Sequence, residues 1–166
     1  MKHIAVLLIL IFSALTFVSA QRFGMDEEKP VETKCYTSTS GDYVDVCVQF
    51  NIANSWHVYG TKGGDGPTWT TINVENINNL TAEGDLQADG EEHKVFDKMF
   101  GIEVSFFENS AIFKQRYKIG QNSEWSISGY LEYGACNNES CLPPTSVYLS
   151  LNGKATHTDK LTESTN

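Results

Sequence analysis

Apolar and polar residues alternate with a period of two over much of the chain. The clearest case is residues 43–52, where Val44, Phe50 and Ile52 share one side of the pattern and Cys47 falls among the polar positions. The same alternation recurs over residues 111–119, 125–133 and 147–151. A period of two is typical of strands with one buried face. The chain offers no comparable pattern at the helical spacing.

Segments rich in glycine, asparagine and serine separate these strands. They predict turns at residues 40–42, 63–67, 108–110 and 120–122. Many short strands at this spacing predict an all-β fold, namely an immunoglobulin-like β-sandwich.

The two ends of the chain differ in composition from this central region. Residues 1–20 combine Lys2, an apolar run and a small-residue cleavage pattern at Ala20, which together predict a secretory signal peptide. Residues 21–30 are expected to be a flexible segment, 31–152 the β-sandwich domain and 153–166 a polar disordered tail. We therefore expect a periplasmic or secreted protein that is not inserted in the membrane after signal cleavage.

Charge and histidine spacing exclude several classes of partner. The net charge of −9 argues against binding to nucleic acid. His57, His93 and His157 lack the spacing of a metal site, so no metal is expected. No bound cofactor is expected either, since cysteine sulfurs can themselves carry electrons.

Four cysteines remain after the signal peptide, and they form two different pairs. Cys35 and Cys47 lie symmetrically about Gly41, so a hairpin centred there would place them opposite each other. We predict a structural disulfide between them, with a second redox pair as the alternative.

Cys136 and Cys141 bracket a polar four-residue loop, Asn137-Asn138-Glu139-Ser140. Pro143 and Pro144 follow, and two prolines without backbone donors predict that this strand lies at an edge or is bulged there. A disulfide at such a hairpin tip would be open to another protein. The nearby charges are Glu132 and Glu139, with no basic residue between 121 and 153. The reduced cysteines should therefore be weak nucleophiles, better suited to being attacked by a partner's thiolate.

Several motifs resemble the N-terminal periplasmic domain of the thiol:disulfide interchange protein DsbD family. The most specific is Tyr133-Gly134-Ala135-Cys136 followed by Cys141-Leu142-Pro143-Pro144. Supporting motifs are Trp56-His57-Val58-Tyr59, Gly66-Pro67-Thr68, Asp97-Lys98-Met99-Phe100-Gly101 and Phe106-Phe107-Glu108. The resemblance covers roughly residues 30 to 151.

This resemblance implies roles for particular residues. Cys141 would form the bond to a partner and Cys136 would resolve it, while Asp97, Met99 and Phe100 would form a cap over the sulfurs. The membrane and thioredoxin-like domains of full-length members are not found in this sequence, so a free-standing domain is expected to receive its electrons from another protein.

The function expected from the sequence is thiol–disulfide exchange through Cys136 and Cys141. A thioredoxin-like protein would donate electrons, and a periplasmic client or isomerase would accept them. An active domain would be a protein-disulfide reductase. The alternative is a secreted immunoglobulin-like binding module with two purely structural disulfides.

Overall fold

The structure is a computed structural model that describes residues 29–61, 63–122 and 124–155. Within these ranges the chain forms strands and no helix, so the predicted all-β class is confirmed. No helix in the described part of the chain is long and apolar enough to cross a membrane. The strands are β1 (Val31–Ser40), β2 (Tyr43–Ile52), β3 (Trp56–Tyr59), β4 (Thr71–Asn78), β5 (Leu80–Asp97), β6 (Ile102–Ile119), β7 (Glu124–Tyr133), β8 (Ala135–Asn137) and β9 (Thr145–Lys154).

The strands form two antiparallel sheets that share one hydrophobic core. The larger sheet has the order β1-β2-β6-β3-β8, with β5 on the other side of β6. The smaller sheet has the order β4-β7-β9. The alternating apolar residues of β2, β6 and β7 all enter the core, as the sequence pattern predicts. The result is a β-sandwich.

Aromatic side chains hold the middle of this core. The ring of Phe50 lies 5.0 Å from the rings of both Phe113 and Tyr133, in edge-to-face contacts. Phe50 and Phe113 belong to the larger sheet, whereas Tyr133 ends β7 in the smaller one. These contacts therefore join the two layers just before the chain enters the Cys136 segment.

Strand β6 changes partners along its length. Its residues 110–118 pair with β2, whereas Phe106 and Phe107 pair with β3. The turn predicted at residues 108–110 is wrong, because β6 continues through it. The Asn and Ser residues there mark an irregularity instead: Asn109 has a φ of 61°, and β5 has a register shift between Gly90 and Glu92.

The C-terminal end of the sheet extends slightly beyond the predicted domain. Gly153 and Lys154, placed in the tail by the sequence, are the last residues of β9. Gly153 pairs with Trp125, and a Cβ at this position would lie 2.5 Å from the Trp125 ring. The predicted signal peptide lies outside the described residues. So do residues 21–28 of the predicted flexible segment and 156–166 of the tail.

The predicted disulfide between Cys35 and Cys47 is wrong, since both are free thiols. Cys35 faces Val48 across the β1–β2 hairpin, and Cys47 faces Tyr36. The hairpin is centred just after Gly41 rather than on it. Because strand side chains alternate, this shift of one residue puts the two thiols on opposite faces of the sheet. Burial raises the pKa of each thiol.

Candidate redox site

The chain crosses from the smaller sheet to the larger one at Gly134. A Cβ on Gly134 would lie 2.6 Å from the carbonyl oxygen of Thr68, so only glycine fits this approach. The next residues form β8, which pairs with β3 at the edge of the larger sheet. The amide of Tyr59 in β3 donates to the Gly134 carbonyl at 3.1 Å. Cys136 is thus held by an edge strand.

Cys136 and Cys141 are joined by a disulfide across a short hairpin, with their Cα atoms 3.9 Å apart. The Asn137 side chain stabilises the turn, because its Oδ1 accepts hydrogen bonds from the amides of Glu139 and Ser140 at 2.9 and 2.7 Å. The Leu142 amide closes the hairpin by donating to the Ala135 carbonyl at 2.8 Å. The polar loop predicted between the cysteines is therefore an ordered turn.

The two sulfur-bearing residues differ sharply in exposure. Cys136 is only 4% exposed, whereas Cys141 is exposed. Cys136 belongs to a small apolar group that is separate from the main core and that we call the outer cluster. Its members are Tyr59, Val104 and Cys136, with Trp69, Phe100, Ile102 and Phe106 packed around them. An attacking thiolate can therefore approach Cys141 more readily than Cys136.

The outer cluster lies on the face of the larger sheet that points away from the sandwich core. Val58, Ala135 and Phe107 are core residues, and their direct neighbours Tyr59, Cys136 and Phe106 must point the other way. The sheet therefore has a second, smaller apolar face at this end.

The loop predicted to be the cap is the tip of the β5–β6 hairpin, and it lies at one side of this cluster. Asp97 stabilises the loop, because its Oδ1 accepts hydrogen bonds from the amides of Met99 and Phe100 at 2.7 and 3.3 Å. Gly101 closes the loop by donating to the Asp97 carbonyl at 2.8 Å, with a φ of 71°. Phe100 packs against the outer cluster, whereas Met99 is 74% exposed.

Tyr59 connects the cap loop to the cluster. Its ring lies 6.2 Å from Phe100 and 6.1 Å from Trp69, both in edge-to-face contacts. Burial, together with the nearby Asp97 carboxylate, raises the pKa of Tyr59 to about 12. The phenol is therefore protonated at neutral pH and can donate to Asp97.

His57 lies next to Cys136 in space, although 78 residues separate the two in the sequence. In the structure His57 is the direct antiparallel partner of Cys136. Its ring contacts Tyr59 at 5.1 Å and Phe106 at 4.8 Å. Burial lowers the pKa of His57, while the carboxylates of Glu108 and Asp97 act in the opposite direction. Only the pairing of β3 with β8 brings the two residues together, and no spacing in the sequence marks that pairing.

A groove of about 550 Å³ lies at this end of the sandwich. Its lining includes Ser140 and Leu142, the two chain neighbours of Cys141, and Trp56. Pro143 and Pro144 follow as exposed residues. The backbone that follows Cys141 thus lacks two hydrogen-bond donors. Within the described residues, no group of three metal-binding side chains is present.

Fold and site together define a β-sandwich domain that carries a disulfide at the tip of an edge hairpin. The family model described as "Thiol:disulfide interchange protein DsbD, N-terminal" matches residues 27–152. The chain belongs to this family, and the fold is the immunoglobulin-like sandwich predicted from the sequence. No curated protein sequence is similar enough to match.

Two solved structures are similar to this chain. The N-terminal periplasmic domain of ScsB from Proteus mirabilis is 19% identical with a TM-score of 0.51, covering 79% of this chain and 49% of that one. The chain thus spans about half the length of this relative. The Neisseria meningitidis DsbD N-terminal domain in the reduced form is 18% identical with a TM-score of 0.42, covering 74% of this chain and 86% of that one.

Proposed function

We propose that this domain carries electrons between proteins outside the cytoplasmic membrane through the Cys136–Cys141 disulfide. The donor is a thioredoxin-like protein, and the acceptor is a periplasmic client or isomerase. The observation that carries the proposal is the unequal exposure of the two cysteines at a hairpin tip. Membership of the family, whose solved ScsB relative is described as periplasmic, supports the location and the class of partner.

Reduction of the domain begins at Cys141. A thiolate of the donor attacks Cys141 Sγ, the bond to Cys136 breaks, and Cys136 leaves as a thiolate that takes up a proton. The donor's second thiol then attacks the donor sulfur in the mixed disulfide and releases Cys141. The donor ends as a disulfide, and the domain has gained two electrons. Burial of Cys136 favours this order of attack.

Delivery runs through the same sulfurs in reverse. The Cys141 thiolate attacks a disulfide of the client and forms a mixed disulfide, with one client sulfur released. Cys136 then loses its proton and attacks Cys141 Sγ, which restores the internal disulfide and frees the second client sulfur. The exposed position of Cys141 leaves its sulfur open to a partner's cysteine.

The cap loop limits access to this reaction. Phe100 packs against the cluster that contains Cys136, and Asp97 stabilises the loop that carries Phe100. Opening the loop would uncover the Cys136 side of the disulfide for a bulky partner. Met99, exposed in the closed loop, is free to contact the partner first.

Replacing Phe100 by alanine is expected to speed reduction of the disulfide. An aromatic contact is worth about 1 kcal/mol, so its loss should favour the open loop and raise the rate about fivefold. The measurement is the single-turnover rate of reduction by excess reduced thioredoxin. Met99→Ala is the matched control, because it changes the same loop at an exposed side chain. An equal acceleration by Met99→Ala would contradict the role of Phe100.

The proposed function is tested by redox equilibration of the purified domain. The protein is equilibrated in glutathione or dithiothreitol buffers, its thiols are alkylated, and Cys136 and Cys141 are quantified by mass analysis. We expect a reduction potential near that of thioredoxin, about −270 mV, and rapid reduction by a thioredoxin-type protein. A potential below about −300 mV, with no reaction with thioredoxin, would instead identify a structural disulfide.

A further inference from the structure

We propose that His57 is the proton acceptor and donor of Cys136 during disulfide exchange. The proposal rests on the function proposed above and adds a residue to its mechanism. Its basis is position: His57 in β3 and Cys136 in β8 are direct partners across an antiparallel ladder. Such partners point to the same face, with Cβ atoms about 5 Å apart, which is within reach of an imidazole nitrogen.

The His57 ring is held in place by its neighbours. The ring contacts Tyr59 on its own strand and Phe106 on β6. On the side of β5, the ring of Phe106 also stacks on that of His93, with 5.4 Å between the ring centres. Cys136 packs with Tyr59 and Phe106 in the outer cluster. His57 and Cys136 therefore share the same aromatic surroundings. A ring held in this way needs little reorganisation to meet the thiol.

Exchange moves a proton on and off Cys136, and a base at this position would speed that transfer. Cys136 must lose a proton before its sulfur attacks Cys141 Sγ, and it must regain one when the disulfide is reduced. Partial burial keeps the His57 ring neutral at neutral pH, so that one nitrogen can accept the proton. The proton moves from Cys136 to His57 as the internal disulfide forms and returns when that bond is broken.

Two carboxylates offset part of the cost that burial places on a positive charge at His57. Asp97 at the cap loop and Glu108 on β6 are the carboxylates that act on the ring. The other titratable groups facing it are Tyr59, Cys136 and, across Phe106, His93. An imidazolium at this position thus has two carboxylates close by. Both favour the protonated ring after it has taken the proton of Cys136.

The test isolates the step in which Cys136 resolves a mixed disulfide. The reduced full-length domain is mixed with dithiobis(nitrobenzoate), which first labels the exposed Cys141. Intramolecular attack by Cys136 then releases the second equivalent of nitrothiobenzoate. Acid quenching and peptide mass analysis assign each phase and exclude Cys35 and Cys47.

His57→Phe and His57→Gln are expected to slow the second phase at least about tenfold at neutral pH. Both should also remove the imidazole titration from its pH profile.

His93→Phe is the matched control. It replaces the second histidine that contacts Phe106 but leaves His57, the strand partner of Cys136, in place. It should leave the second phase unchanged. A His57→Gln rate within about twofold of the unaltered protein, with the same pH profile, would overturn the proposal. If both His57 variants fail to fold, NMR titration of His57 in the unaltered protein decides. Its titration should differ between the oxidised and reduced states, and identical titrations would overturn the proposal.

The reagent in this assay is a small molecule, so the result does not depend on a protein partner. Failure of the proposed function would appear separately, as a disulfide that thioredoxin does not reduce in the equilibration experiment. Failure of the His57 proposal would appear as unchanged resolution in a domain that thioredoxin does reduce.

Discussion

Replacing Cys136 by serine should leave the domain covalently bound to its redox partner. The exposed Cys141 can still attack a partner's disulfide, but no second sulfur remains to resolve the bond. We expect a stable complex on non-reducing gels after incubation with an oxidised thioredoxin-type protein, and loss of turnover by at least about a thousandfold. Mass analysis of the complex should locate the bond at Cys141.

Cys141→Ser is the matched variant, because it also leaves one sulfur of the pair. Its remaining cysteine, Cys136, is buried in the outer cluster and should form little complex. Equal trapping by both variants would contradict the assigned roles. Cys35→Ser should change neither result, since Cys35 lies on β1 and is not part of the site.

Phe50→Ala is expected to destabilise the domain by about 3–5 kcal/mol. Phe50 is fully buried and loses its ring contacts with both Phe113 and Tyr133, which join the two sheets. Domains of this size are stable by only about 5–15 kcal/mol, so this one change removes much of the total. The measurement is the free energy of unfolding in urea, with the Cys136–Cys141 disulfide kept intact.

Phe96→Ala is the control for this prediction. It removes the same type of ring from the same sheet, but Phe96 is 67% exposed. Its cost should stay within about 0.5 kcal/mol. A comparable loss in the free energy of unfolding from Phe96→Ala would show that the effect of Phe50→Ala does not come from its buried ring contacts.

The strands could be predicted where one face is buried along their whole length. The alternation of β2, β7 and β9, and of the second half of β6, is visible in the sequence because the core selects every second residue. The first half of β6 and most of β5 were less clear. The first half of β6 has apolar residues on both faces, because one face meets the outer cluster. Most of β5 is exposed on both faces. In neither case does a period of two mark the strand.

The cysteines show how far local sequence can be used. The Cys136–Cys141 hairpin is closed by contacts within a few residues, so its geometry follows from the segment itself. The failed Cys35–Cys47 pairing depended on the exact centre of a turn, and an error of one residue reversed the face of each side chain. Local spacing therefore predicts a closed loop better than it predicts register.

The sequence by itself determined the all-β class, the main strands and the cysteine pair at the hairpin tip, since these depend on periodicity and on short contacts. The tertiary structure alone decided that His57 faces Cys136, that Phe100 rather than Met99 packs on the outer cluster, and that Cys136 is the buried sulfur. Each of these facts arises where strands distant in the chain meet at one end of the larger sheet. Strand pairing over such separations leaves no periodic trace in the sequence.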